Sequence, residues 1–360
     1  MKLLIICGET SANIYGSKLA NELTALGHDV YSFGDAQLAQ KTHQLLRIAP
    51  TYHSVGTNGG FRKRKLINKI SSLIDSSQIV FNKAIIIDFP GYNFKIAELF
   101  TSKNIPIVSY ITPNFWLWNQ KKLAKKLLGY SSLVITIFKK EFDFYRQFDD
   151  RKVVYHGHPL SLTHHLTQYS PGPPFRIGIY PGSRRSEIND HLPVFLSIMS
   201  ILKKDPQNLF YIICSNSDLH PLILDHLNRS KVHDIPILKR DNDTLSYALS
   251  VPGTNTFRLA LLGIPLTIIG QLHYLSYFIV KYILRIKLTF IALPNIILNR
   301  KVVPEYVQVN SETLQVANEI TQILNSTDKI QTIRNDLSTI KEVVQAPSDY
   351  WRRIAGLISE

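Results

Sequence analysis

Leu3-Leu4-Ile5-Ile6-Cys7-Gly8-Glu9-Thr10-Ser11-Ala12-Asn13-Ile14-Tyr15-Gly16 is an apolar run followed by a turn of small residues that opens a helix. A run of that length suits a buried strand, and the segment is too short for a signal-peptide core and lacks a small-residue cleavage site. The same alternation continues through Val30 to Phe33, Ala84 to Asp88, Ile107 to Ile111 and Leu133 to Phe138, with helical patterns between. Strands separated by helices predict βαβ units and a parallel sheet.

The pattern breaks at 161–174, where Pro171, Gly172, Pro173 and Pro174 follow a polar stretch, and resumes at Arg176 to Tyr180, Leu209 to Cys214 and Leu266 to Ile269. A chain of 360 residues is long enough for two ordinary α/β domains. The reading is therefore α/β: a Rossmann-like domain at 1–160, a linker at 161–174, a second Rossmann-like domain at 175–343, and a helical C-terminus. The last helix, 344–360, is expected to pack back on the first domain. Leu259 to Val280 has no charged residue and by length alone spans a bilayer. Gly263, Pro265, Gly270 and Gln271 divide it, so it reads as a helix end, a turn, a buried strand and a new helix.

Lys and Arg outnumber Asp and Glu by 41 to 27, which draws the molecule toward anionic partners. The basic clusters lie among aliphatic residues with no recognition motif, which argues against nucleic acid. Cys7 and Cys214 stand far apart, fitting a reducing compartment, the cytoplasm by default. His156, His158, His164 and His165 lack a convincing ligand spacing, so no metal is expected.

Open parallel sheets bind ligands beyond the carboxyl ends of their strands. After the first strand stand Gly8, Glu9 and Ser11, where main-chain N–H groups can meet a ligand and where Ser11 can equally be a helix cap. Asp88 ends a strand and precedes Pro90-Gly91-Tyr92-Asn93; it can take a proton from a hydroxyl or merely cap a turn. Trp116 lies in an aromatic and lysine-rich stretch that suits a lipid interface or a core edge. Gly182-Ser183-Arg184, after Tyr180, combine N–H donors and a guanidinium suited to phosphate. Gly253-Thr254-Asn255-Thr256 offer a second set of small donors, and Asn295, Glu305 and Gln308 are polar groups in an apolar stretch. Arg62, Lys63, Arg64, Lys65 and Lys69 interleave with Leu66, Ile67 and Ile70, and Lys281, Arg285 and Lys287 interleave with aromatics. Both segments read as surfaces for anionic lipid or as ordinary amphipathic helices.

In order, Gly8-Glu9-Thr10-Ser11, Asp88-x-Pro90, the Pro113/Trp116/Trp118 segment, Gly157-His158-Pro159-Leu160, Pro181 to Glu187, Gly253-Thr254 and Leu293-Pro294-Asn295 resemble the lipid-A-disaccharide synthases. The resemblance implies a GT-B architecture with two Rossmann-like domains facing across a cleft. It implies inverting transfer of 2,3-diacylglucosamine from UDP to 2,3-diacylglucosamine 1-phosphate, giving a β-1,6 disaccharide without metal or other cofactor. Asp88 matches the catalytic carboxylate, and Arg184 and Asn295 match donor-binding positions, with Glu305 and Gln308 close by. Acylated glucosamine lipids, an anionic membrane surface, peripheral placement on the inner face of the cytoplasmic membrane and possible homodimerisation follow as expectations.

The chain departs from that family at five positions: Ala12 replaces a Gly, Asn13 an Asp, Gly91 a second Asp, Lys139 a Glu, and Arg258 the acid after the Gly-Thr turn. If Arg258 occupied a ribose-binding position, losing one charged hydrogen bond there would cost about 1.5 to 3 kcal/mol. Arg258 can instead meet a phosphate or point away. These departures leave two alternatives open: a non-catalytic homologue that binds lipid or a partner, and a GT-B enzyme with another sugar-nucleotide donor.

Overall fold

The computed structural model describes residues 1–48, 59–89, 91–163, 172–241, 244–271, 290–309 and 312–360. It forms two compact units, one of Met1–Leu162 with Val344–Glu360 and the other of Thr163–Val343.

The first unit is built on a seven-stranded sheet: β1 (Lys2–Cys7), β2 (Asp29–Gly34), β3 (His43–Arg47), β4 (Lys83–Ile87), β5 (Ile107–Tyr110), β6 (Ser131–Thr136) and β7 (Val153–Tyr155). All its pairings are parallel, in the order β3-β2-β1-β4-β5-β6-β7. Leu3 to Cys7 are fully buried, which is why the first strand is a continuous apolar run. Helix α1 (Thr10–Ala25) follows it.

The chain end returns to this unit through the helix Tyr350–Ser359, which packs on α1. The Tyr350 and Tyr110 hydroxyls lie 3.0 Å apart, and Trp351 stacks on Tyr15 at 6.2 Å. Gly157 lets the returning chain pass: a Cβ there would sit 2.3 Å from the Gln345 carbonyl oxygen.

The second unit carries β8 (Phe175–Tyr180), β9 (Asn208–Ile213), β10 (Ile237–Leu238), β11 (Tyr247–Ser250), β12 (Leu266–Gly270) and β13 (Glu305–Val307). Its parallel order is β10-β9-β8-β11-β12-β13. Each sheet therefore reverses direction beside its own first strand, between β1 and β4 and between β8 and β11. Ligands of doubly wound sheets bind at such points. Two further helices, Thr313–Leu324 and Thr327–Val343, follow, in line with the expected helical C-terminus.

Among the described residues no helix is long and apolar enough to cross a membrane. The run from Leu259 divides as read: a helix ends at Leu261 and β12 begins at Leu266, while 272–289 lie outside the described residues.

Candidate active site

In the first unit the loops after β1 and β4 meet. A Cβ on Gly8 would fall 2.1 Å from Phe89, so only glycine lets the two loops close. Phe89 is fully buried and stacks on Tyr92 at 4.6 Å. Asp88 stands immediately before it, half-buried, with φ +38 and its N–H donating to the Tyr110 carbonyl at 3.3 Å. At the end of β5, Ile111 also has positive φ, +57, an outlier for a β-branched residue. Two neighbouring strands thus end in strained backbone, as functional sites commonly do.

The Asp88 charge reaches the β1–α1 side of this point. Burial pushes the Cys7 thiol and the Tyr15 phenol up, and the nearby carboxylate adds to both. Glu9 occupies the N-cap of α1 without a side-chain cap, and Ser11 lies inside the first turn, so the capping role open to Ser11 falls away. Asn13 is buried: its amide donates to the Glu9 carbonyl at 2.8 Å and accepts from the Asp35 N–H at 2.8 Å. An Asp could accept but not donate here, so Asn13 knits the loop after β1 to the end of β2.

Asn93 opens α4 (Asn93–Ser102) and is buried. Trp116 is half-buried against Phe138 at 5.8 Å, and Phe138 lies 5.0 Å from His158, which favours the core-edge reading of Trp116. Lys139 is exposed at the start of α6 (Lys139–Arg146) and pairs with Asp143. The acid the sequence reading missed is two residues on. Glu141 is buried, accepts from the Ile137 and Phe138 N–H groups at 2.9 and 3.3 Å, and receives the Thr112 hydroxyl at 2.5 Å. Burial outweighs these donors and lifts its carboxyl to about 7.

Helix α3 (Gly59–Ser77) carries the first basic segment. Leu66, Ile70 and Ile74 are buried in the unit's own core, so the apolar face is already covered. Arg64, Lys65 and Lys69 are exposed, whereas Lys63 is half-buried and turned onto Tyr92, 5.5 Å from the ring centroid. The Arg62 side chain, Pro90, Lys281, Arg285 and Lys287 lie outside the described residues.

In the second unit, Gly182 (φ +115) and Gly253 (φ +153, ψ −166) hold conformations that favour glycine at the ends of β8 and β11. Helix α7 (Arg185–Leu202) begins beside the first and α9 (Thr254–Leu261) beside the second. Glu187 organises the first loop: its carboxylate accepts from the Ser183 N–H at 2.8 Å, the Arg184 N–H at 3.3 Å and the Arg184 guanidinium at 3.2 Å. Ser183 and Arg184 are exposed, and so are Gly253, Thr254 and Asn255; no atom lies within 4 Å of where a Gly253 Cβ would stand. Thr256 differs, being buried with its hydroxyl on the Gly253 carbonyl at 2.6 Å.

Asn295 also differs from its expected role. It is fully buried; its amide donates to the Val303 carbonyl and Glu305, and its oxygen accepts from the Val302 and Val303 N–H groups. Both hydrogens and both lone pairs are engaged. It is therefore a positioning residue. Glu305 accepts from the Ile291 and Ala292 N–H groups at 3.1 and 2.8 Å, holding the start of the helix Leu293–Leu298. Gln308, φ +60, follows β13 and its N–H donates to the Gly270 carbonyl at 2.9 Å.

Arg258 is turned inward rather than into solvent. It forms a two-pronged ion pair with Asp241, whose side chain is 3% exposed, and its guanidinium also reaches the Tyr180 hydroxyl at 3.3 Å. Tyr180 closes the triangle by donating to Asp241. The charge reversal at 258 is thus matched by a carboxylate from the loop before β11. Among the described residues no group of three or more His, Cys, Asp or Glu is placed to hold a metal ion.

The sequence profile of the lipid-A-disaccharide synthetase family matches residues 3–353. The chain belongs to that family. Among its relatives is the lipid-A-disaccharide synthase of Koribacter versatilis (strain Ellin345), 28% identical over 337 residues, covering 86% of this chain and 84% of that protein. The lipid-A-disaccharide synthase of Sulfurihydrogenibium sp. (strain YO3AOP1) is 25% identical over 335 residues, covering 85% and 84%. Within the solved structures, the glycotransferase of kitacinnamycin matches with a TM-score of 0.63 at 10% identity, covering 99% of this chain and 98% of that one. At that identity the match concerns the fold, and the synthetase-family chain has the two-unit GT-B glycosyltransferase fold.

Proposed function

We propose that this protein is the glycosyltransferase that forms the lipid A disaccharide, moving 2,3-diacylglucosamine from UDP to 2,3-diacylglucosamine 1-phosphate in β-1,6 linkage. Family membership over residues 3–353 supports the reaction class. The observation that carries the mechanism is Asp88, a half-buried carboxylate in strained backbone at the switch point of the first sheet. The acceptor's 6-hydroxyl attacks the donor's anomeric carbon opposite UDP, the bond to the phosphate oxygen breaks, and UDP leaves with the electron pair. Asp88 takes the hydroxyl proton as the bond forms.

The negative charge growing on UDP calls for donors already in place. Ser183, Arg184, the turn at Gly182 and the exposed Gly253, Thr254 and Asn255 fit that task, with Gln308 at a further strand end. Asn295, Glu305 and Thr256 hold those loops rather than the ligand. Gly8, Glu9, Ser11 and Asn93 belong to the acceptor side. No metal or other cofactor is needed for this displacement.

Because both substrates are acylated, the enzyme works at an anionic membrane surface, on the inner face of the cytoplasmic membrane, with the exposed Arg64, Lys65 and Lys69 as contacts. Homodimerisation is a further part of this reading. The sequence alternatives lose their motive, since Asn13 and Arg258 both have internal partners. The test is to incubate the full chain with both acylated substrates in mixed micelles and follow UDP and the disaccharide by mass spectrometry. One UDP per disaccharide is expected; folded protein that binds UDP yet makes no disaccharide would contradict the assignment.

A further inference from the structure

Lys63 is distinct among the basic residues of α3. Its ammonium is 5.5 Å from the centroid of Tyr92, a buried ring that stacks on Phe89, directly after Asp88. A Cβ on Gly91 would come within 3.1 Å of that ammonium, so the lysine lies against bare main chain in the loop that follows Asp88. Gly91 also has φ +77. Lys63 enters no ion pair among the described residues, whereas Lys103 pairs with Asp75 and Lys126 with Glu98 in the same unit. A half-buried cation without a carboxylate, held on an aromatic face, is prepared for an anion that arrives with a ligand.

We infer that Lys63 binds the phosphate of the acceptor. This rests on the proposed reaction: in 2,3-diacylglucosamine 1-phosphate, the carbon bearing the phosphate and the carbon bearing the CH₂OH group flank the ring oxygen. One sugar can therefore offer its hydroxyl to Asp88 and its phosphate to the α3 lysine that lies against the same loop. Gly91 leaves room for the ammonium. Lys63 sets which acceptor is used and takes no part in the proton transfer.

The test measures UDP release by the full chain in neutral detergent micelles, varying the acceptor with or without its 1-phosphate. Lys63→Met, which keeps the apolar stem over Tyr92, should raise KM for the phosphorylated acceptor roughly tenfold to a hundredfold, the size of one charged hydrogen bond. Its kcat and donor KM should stay near wild type, Lys63→Arg should recover most of the loss, and both proteins should behave alike on the acceptor without phosphate. An unchanged KM, or an equal loss on both acceptors, overturns the inference. Vesicles containing phosphatidylglycerol separate the other source of phosphate: equal binding by wild type and Lys63→Met is expected, and weaker binding by the variant would assign Lys63 to the bilayer instead. If wild type releases no UDP, the reaction itself is wrong; equilibrium binding of the phosphorylated acceptor to both proteins then decides Lys63 by the same ratio.

Discussion

In the first unit the crevice between β1 and β4 is filled by a side chain, Phe89 lying where any Cβ on Gly8 would stand. In the second, Glu187 closes over the loop after β8 and takes the Ser183 and Arg184 N–H groups, whereas nothing approaches the Gly253 position after β11 within 4 Å. The two sheets have the same order around their first strands, so topology does not explain the difference. The loop residues do. An aromatic plug beside a strained carboxylate leaves no room for a diphosphate against the Gly8 main chain and favours proton transfer. Glycine turns with N–H groups and an arginine held by Glu187 favour an anion.

The comparison breaks most readily at Arg258. Arg258→Glu would face Asp241, leaving two buried carboxylates beside Tyr180, and should destabilise the second unit by about 3 to 5 kcal/mol in chemical denaturation. Exchanging both charges, Asp241→Arg with Arg258→Glu, should return much of that loss. Stability unchanged in the single variant would mean the pair is not formed.

Gly253→Ala tests the open main chain. The φ of +153 favours glycine, so alanine should cost about 1 to 3 kcal/mol and weaken UDP binding, read by calorimetry. UDP affinity equal to wild type would remove this turn from the donor site.

A smaller effect separates the units by pH. Glu141 is raised from the ordinary 4.5 to about 7, so the folded first unit holds a proton that the unfolded chain releases. Its stability should therefore fall as pH rises from about 4.5 through 7, and Glu141→Gln should flatten that slope. His191 works in the opposite sense. Its ring accepts from the Gln271 N–H at 2.9 Å and donates to the Glu187 carbonyl at 2.8 Å, and burial holds its pKa below 6.5. The second unit should lose stability as pH falls below 6.5, where the unfolded chain gains the proton first. Denaturation curves between pH 5 and 8 with parallel slopes for wild type and Glu141→Gln would contradict the first half.

Much of the fold was legible because buried parallel strands are unbroken apolar runs, as in Leu3 to Cys7 and Ala84 to Ile87. The short strands were not: β10 has two residues, β7 and β13 have three, and none carries a period. β11 was missed although it is central, because its four residues, Tyr-Ala-Leu-Ser, end in a serine. At the site, Asp88, Gly182 and Gly253 could be read from strand ends and glycine turns. Asp241, Glu141 and the turn of Lys63 onto Tyr92 could not, since each depends on a partner distant in sequence, Arg258, Thr112 and Tyr92 in turn. Asn295 was legible as a polar group in an apolar stretch, but only coordinates reveal that its hydrogen bonds are all spent internally.

Amide hydrogen exchange on the full-length wild type, with UDP and separately with the acylated acceptor in micelles, addresses the division of labour between the two crevices. UDP should slow exchange at residues 182–184 and 253–256 and leave 8–12 and 88–93 unchanged, while the acceptor should do the reverse. Protection by UDP alone at the Asp88 loop, with none at the glycine turns of the second unit, would contradict the account.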